Sequence, residues 1–173
     1  MTDSDWVRAA VAEFETPLLR YALRFTHGDL EGARDIVQES FLRLCRARRS
    51  EVDGHLAQWL YTVCRNRALD LYRKEGRMTE LSPPSPDFAV SPQPGPSAAL
   101  ERRETLGSVL ALVATLPPRQ QECIRLKFQQ GLSYKEISGI TSFKVSYVGV
   151  LIHEGMKTLR ARLVAAPRVA RGA

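Results

Sequence analysis

The sequence predicts an all-α protein of two small helical domains joined by a Pro-rich linker. Apolar residues recur at three- and four-residue spacing along the long segments, and no segment sustains the two-residue alternation of a strand. Six of the ten prolines crowd into residues 79–99, TELSPPSPDFAVSPQPGPSAA. Such a stretch can be neither helix nor central strand and buries little. Residues 116–163 carry the start and stop signals of three consecutive helices. The expected organisation is a first domain over 1–78, the linker over 79–99, a second domain over 100–166 and a tail over 167–173. A chain of 173 residues can bury one good core or two small ones.

The first helix is expected over about residues 5–25. Trp6, Val7, Ala10, Phe14, Leu18, Tyr21, Ala22 and Phe25 fall at helical spacing there, and Pro17 marks where the helix would kink or divide. The second starts after Asp29, a good N-cap before Leu30. Its apolar positions Leu30, Ala33, Val37, Phe41 and Leu44 form one stripe. The third spans about 55–74, with Leu56, Trp59, Leu60, Val63, Cys64 and Leu71. After the linker, a fourth occupies 98–114. Pro117 and Pro118 open the next, where a missing backbone N–H costs nothing, and Gly131 ends it.

Ser133-Tyr134-Lys135-Glu136 then reads as a capping box. The Ser133 hydroxyl accepts the Glu136 backbone N–H while the Glu136 carboxylate reaches back to the N–H of Ser133. A short helix follows to about residue 140, then a Thr-Ser-Phe turn, then a longer helix from about residue 144. On the last helix Val145, Val148, Ile152, Met156, Leu159 and Leu163 share one narrow stripe and are expected in the core. Ser146, Tyr147, Val150, Glu154 and Lys157 point outward. A short helix, a tight turn and a longer helix form the unit that sets one helix into a DNA major groove.

The net charge of +6 is unevenly placed: −4 over residues 1–41, +5 over 42–77, −2 over 78–99 and +7 over 100–173. Two basic blocks suit two contacts with a polyanion, and the acidic first third suits a protein partner. The same blocks are also compatible with a plain solvated surface. Residues 1–12 lack the long apolar run of a secretion signal, and no stretch reaches the length of a membrane span, so a cytoplasmic protein without membrane insertion is expected. Cys45, Cys64 and Cys123 have no paired spacing and sit among apolar neighbours, which reads as reduced thiols in the core. His27, His55 and His153 are scattered without metal-ligand spacing. No phosphate-binding glycine loop or nucleophile set is present. The expectation is therefore a non-enzyme with no catalytic residue, no metal, no cofactor and no small-molecule substrate.

Four segments together resemble a known family. DLEGARDIVQESFLRLCR, AQWLYTVCRNRALDLYRK, LPPRQQECIRLKF and LSYKEI occur in this order, with a Pro-rich gap between the second and third. They resemble bacterial sigma factors of the extracytoplasmic-function (ECF) group, over about residues 10–77 and 100–163. The resemblance implies two helical domains that direct RNA polymerase to promoters, a region-2-like bundle and a region-4-like helix-turn-helix.

It also implies roles for particular residues. Asp35, Gln38, Glu39 and Leu42 share one face of the second helix. By pattern alone that is an ordinary surface helix. By the resemblance it docks on the clamp of the core polymerase, and Phe41 stays in the core. Arg65, Asn66, Arg67, Asp70, Arg73 and Lys74 on the third helix would grip and read the −10 promoter element, since Arg and Lys hold phosphates and Asn can read a base edge. Trp59 and Tyr61 add aromatic faces for an unpaired base, although Trp59 sits on the apolar stripe and Asp70 has neighbouring cations to pair with. The loop over residues 48–56 would help capture an extruded base. Ser133, Tyr134, Lys144, Ser146, Tyr147, Val150 and Lys157 would contact −35 DNA, and the same domain the polymerase flap.

The chain departs from the group at several positions. Gly149, Leu151 and Glu154 stand where basic residues are common, Ser142 where a glycine is usual in the turn, and Lys144 where a serine caps. Lost cations weaken a phosphate-driven grip. The outward apolar trio Tyr147, Val150 and Leu151 is an alternative surface for a protein partner such as an anti-sigma factor. Two further readings remain open at this level: a helix-turn-helix regulator that works without polymerase, and a sigma-like interaction protein that does not initiate transcription.

Overall fold

The computed structural model describes residues 3–74 and 97–165, with side chains over 4–74 and 106–165. The described residues are helical and carry no strand, as the periodicity predicts. The elements are α1 (Asp3–Leu23), α2 (Leu30–Arg46), α3 (Arg49–Val52), α4 (Leu56–Lys74), α5 (Ser97–Ala114), α6 (Pro118–Phe128), α7 (Tyr134–Thr141) and α8 (Val145–Ala165).

Local chemistry sets most boundaries. Asp29 caps α2 by accepting the Glu31 backbone N–H at 3.1 Å. The capping box at α7 is complete: Ser133 N–H donates to Glu136 Oε2 at 2.7 Å, and Glu136 N–H donates to Ser133 Oγ at 3.2 Å. Pro118 occupies the first turn of α6. α1 runs unbroken through Pro17. Packing of its apolar face on α2 and α4 outweighs the one backbone hydrogen bond that proline removes.

Two features differ from the sequence expectation. The loop over 48–56 contains a short helix, α3, anchored by the fully buried Val52. α5 begins at Ser97, so the last residues of the Pro-rich stretch, 97–99, are helical. The remainder of the expected linker and the 167–173 tail lie outside the described residues.

α1, α2 and α4 pack on one another as a three-helix bundle. In the second half α6 lies against α7 and α8, α7 against α8, and α5 against α8. The two halves also meet, because α4 packs directly on α7. One hydrophobic core therefore runs from Trp6, Leu18, Ile36 and Leu60 through Cys123, Leu126, Ile137 and Val148. A smaller cluster of Val113, Leu116, Ile124 and Leu159 holds α5 onto α6 and α8.

Several core expectations hold and some do not. Cys64 and Cys123 are buried, and burial pushes each thiol up to about 12, which keeps it protonated and unreactive. Cys45, in contrast, is exposed, because it falls one position beyond the buried Leu44 on α2. Val145 is 47% and Leu163 48% exposed, not core: each ends the apolar stripe of α8 where the neighbouring helices no longer cover it.

Candidate functional site

Three faces carry the residues singled out by the sequence. On α2 the core side is Ala33, Ile36, Val37, Ser40, Phe41 and Leu44. Asp35, Gln38 and Leu42 are exposed on the opposite side, while Glu39 is half-buried and ion-paired to Arg43 at 3.0 Å. Leu42 is 52% exposed, an apolar side chain on an otherwise polar face. Phe41 lies in the core as expected.

On α4 the expected set divides. Asn66, Asp70, Arg73 and Lys74 are exposed and Arg67 is half-buried. Asp70 pairs with Arg73 at 3.7 Å across one turn, both well solvated, a geometry worth little in energy. Arg65 does not join that face. It is 6% exposed and its Nε donates to Glu122 Oε1 of α6 at 2.9 Å. Burial alone would lower the guanidinium's proton affinity, and the Glu122 carboxylate with its hydrogen bond outweighs that and holds it up. The physical reason for the difference is the packing of the second half onto α4, which a helix-face argument does not contain.

Tyr61 also departs from its expected role. It is fully buried, edge-on to Tyr21 with ring centroids 5.0 Å apart, and offers no face to a base. Trp59 is half-buried against the core.

In the second half, Ser133, Tyr134, Lys144, Ser146, Tyr147, Val150 and Lys157 are all exposed, as is Glu154. The Lys127 ammonium lies 5.4 Å from the Tyr134 ring centroid. Arg119 donates to the Tyr147 hydroxyl at 3.4 Å, and Tyr147 meets Phe143 edge-on at 5.5 Å. Leu151 is 7% exposed and belongs to the core. The outward apolar trio is thus reduced to Tyr147 and Val150.

Sequence reasoning missed Glu122, Gln58 and Phe143. Glu122 was the findable one. It lies four residues before the buried Leu126, on the apolar stripe of α6, and a carboxylate held there requires a cation or a donor. It has both, because the Tyr21 hydroxyl donates to Glu122 Oε1 at 2.6 Å. Burial and then the neighbouring carboxylate raise the Tyr21 phenol well above its ordinary value, so it remains a donor. No cluster of metal-ligating side chains occurs among the described residues, and none of the described helices is long and apolar enough to cross a membrane.

Comparison with known proteins gives these faces a family. Residues 10–78 match the model of sigma-70 region 2, and residues 106–159 match that of sigma-70 region 4. The ECF RNA polymerase sigma factor EcfG of Rhodopseudomonas palustris is 31% identical over 166 residues, 94% of this chain and 87% of its own length. The chain belongs to the ECF sigma factors. The ECF sigma factor SigE of Mycolicibacterium smegmatis is 27% identical over 183 residues, covering 92% of this chain and 71% of its own. The structure of CnrH in complex with the cytosolic domain of CnrY shares the fold, with a TM-score of 0.57 at 24% identity, over 92% of this chain and 88% of that one. As an ECF sigma factor the protein directs transcription initiation, which requires binding core RNA polymerase and promoter DNA.

Proposed function

We propose that the two halves divide the work of this sigma factor. The α2 face of Asp35, Gln38, Glu39 and Leu42 docks on the polymerase clamp. The outer face of α4, with Asn66, Arg67, Asp70, Arg73 and Lys74, holds and reads the −10 strand, with Arg65 joining it in the opened promoter complex. The α3 loop helps to hold an extruded base. The α7–α8 unit binds −35 DNA through Ser133, Tyr134, Lys144, Ser146, Tyr147, Val150 and Lys157, and the same domain meets the polymerase flap. Residues 79–99 connect the domains over 1–78 and 100–166.

The observation that carries this reading is the exposed Leu42 on the polar side of α2, away from the buried stripe of Ala33, Ile36, Val37, Ser40 and Leu44. An apolar side chain flanked by Asp35 and Gln38 suits a mixed protein interface better than it suits water. Exposure of Asn66, Arg73 and Lys74 together supports the nucleic-acid role of α4. Glu154, outward on α8, repels phosphate and can accept a hydrogen bond from a cytosine amine, so the −35 contact would depend on base readout more than on charge.

The chain acts in the cytoplasm and performs no catalysis of its own, because RNA synthesis belongs to the polymerase. Tyr147 and Val150 also suit an anti-sigma partner. The fold neighbour CnrH was solved with the cytosolic domain of CnrY, which supports that reading.

Run-off transcription with core polymerase tests the whole. The chain is expected to co-purify with core enzyme and to support initiation, and Asn66→Ala is expected to impair promoter opening more than polymerase binding. Failure to assemble with core enzyme would overturn the proposal, and full opening by Asn66→Ala would overturn the −10 assignment.

A further inference from the structure

Arg65 belongs to the helix assigned to the −10 strand, yet its guanidinium is enclosed between the two halves of the chain. Its side chain and that of Glu122 are 8% and 7% exposed at their 2.9 Å contact. Tyr21 adds its hydrogen bond to the same carboxylate oxygen, and the Phe143 ring of the helix-turn-helix turn lies 6.0 Å from the Arg65 guanidinium carbon. Nearby, the Gln58 amide of α4 sits where a Cβ on Gly139 of α7 would be. Gly139 does not have the left-handed backbone that calls for glycine. A side chain at Gly139 would meet only the far end of the flexible Gln58 side chain, so the contact across the seam at this point is side chain against backbone.

We propose that Glu122 is an internal competitor for Arg65. In the free chain its carboxylate holds the cation that a phosphate of the −10 strand takes in the open promoter complex, so docking of the C-terminal helices restrains the −10 helix until the halves part. The proposal rests on the assignment of α4 to the −10 strand made above.

The chemistry is that of a guanidinium, which cannot shed its proton and must have an anion wherever it is buried. Inside a single domain such a pair contributes little beyond what apolar residues would. At a seam between tethered halves its effect is directional. With both partners present, closure leaves no charge unpaired. With Glu122 neutralised, closure encloses a lone cation, whereas opening rehydrates it. A DNA strand that supplies a phosphate to Arg65 opens the seam in the same way, and its binding is weakened by the fraction of chain that is closed.

The test uses the full chain with a donor and an acceptor dye on cysteines introduced at Ala12 and His153, both exposed, in a Cys45→Ser background. The DNA probe is a fluorescent single-stranded oligodeoxythymidylate, whose phosphates Arg65 would hold whatever the base sequence. Glu122→Gln is expected to lower energy transfer. It should tighten oligonucleotide binding on the order of tenfold, the gain when a state closed about ten to one is released. Recovery of energy transfer when the charges of the pair are exchanged separates loss of the ion pair from a folding defect of Glu122→Gln. Arg65→Leu is expected to open the chain without the gain in affinity, and Arg65→Glu with Glu122→Arg to close it again. Energy transfer as high as in wild type for Glu122→Gln would overturn the proposal, as would opening without tighter binding. The −10 assignment is probed separately by Asn66→Ala, which lies off the seam: unchanged oligonucleotide affinity there removes the assignment whatever the dyes report.

Discussion

Tyr21 and Glu122, separated by 101 positions in the chain, are joined by a buried 2.6 Å hydrogen bond from phenol to carboxylate. Because Arg65 contacts the same Glu122 oxygen, one carboxylate ties α1, α4 and α6 together. Tyr21→Phe keeps the ring and removes the donor. Hydrogen bonds to charged groups contribute about 1.5–3 kcal/mol, so urea denaturation of the full chain should show a stability loss of about that size. An unchanged midpoint would mean that the hydroxyl does not serve as the donor.

Gln38→Ala combined with Leu42→Ala should leave the fold nearly untouched, since both side chains are exposed and surface substitutions usually stay within about 0.5 kcal/mol. Affinity for core polymerase should fall by about tenfold or more, as expected for losing contacts worth about 1.4 kcal/mol or more. A titrated pull-down at matched thermal stability measures it. Equal affinity would remove α2 from the docking surface.

Ser142 closes α7 in the left-handed region at φ 63°, ψ 13°. An L-residue pays about 1–2 kcal/mol for that conformation, and glycine gives part of the saving back through its freer unfolded chain. Ser142→Gly should therefore raise stability by about 0.5–1 kcal/mol in thermal denaturation. A lower melting temperature would show that the serine side chain contributes more than the strain costs.

Glu136 accepts the Ser133 backbone N–H, and that hydrogen bond lowers its carboxyl pKa below the ordinary 4.5. A depressed folded-state value stabilises the fold at pH above the unfolded value, and the contribution disappears as pH falls through the folded value. Glu136→Ala should cost about 1 kcal/mol at neutral pH, the usual worth of a cap. The gap between wild type and variant should narrow steadily below pH 4.5. A gap independent of pH would assign the stabilisation to something other than the charged cap.

Some of the site was legible because its determinants are local. The polar face of α2 follows from spacing alone, since Asp35, Gln38 and Leu42 repeat at helical intervals opposite Ala33, Val37, Phe41 and Leu44. The capping box of α7 follows from two side chains within reach of their own backbone. Helical period, however, gives the direction of a stripe and not its width or length. Spacing places Leu151 outward, but it is buried, because α8 presses on both α6 and α7 and its covered face is wider than one row. The family pattern groups Arg65 with Asn66 as a DNA contact, and only the docking of α7 onto α4, with Glu122 of α6 reaching the guanidinium, encloses it.

The helices, their caps, the two basic blocks and the family pattern follow from the order of residues alone, because each depends on neighbours within a few positions or on composition. Tertiary structure alone decided which cations remain available. Arg65 and Glu122 are far apart in the chain, and their pairing exists only because apolar burial brings the two halves together, where water no longer screens the charges.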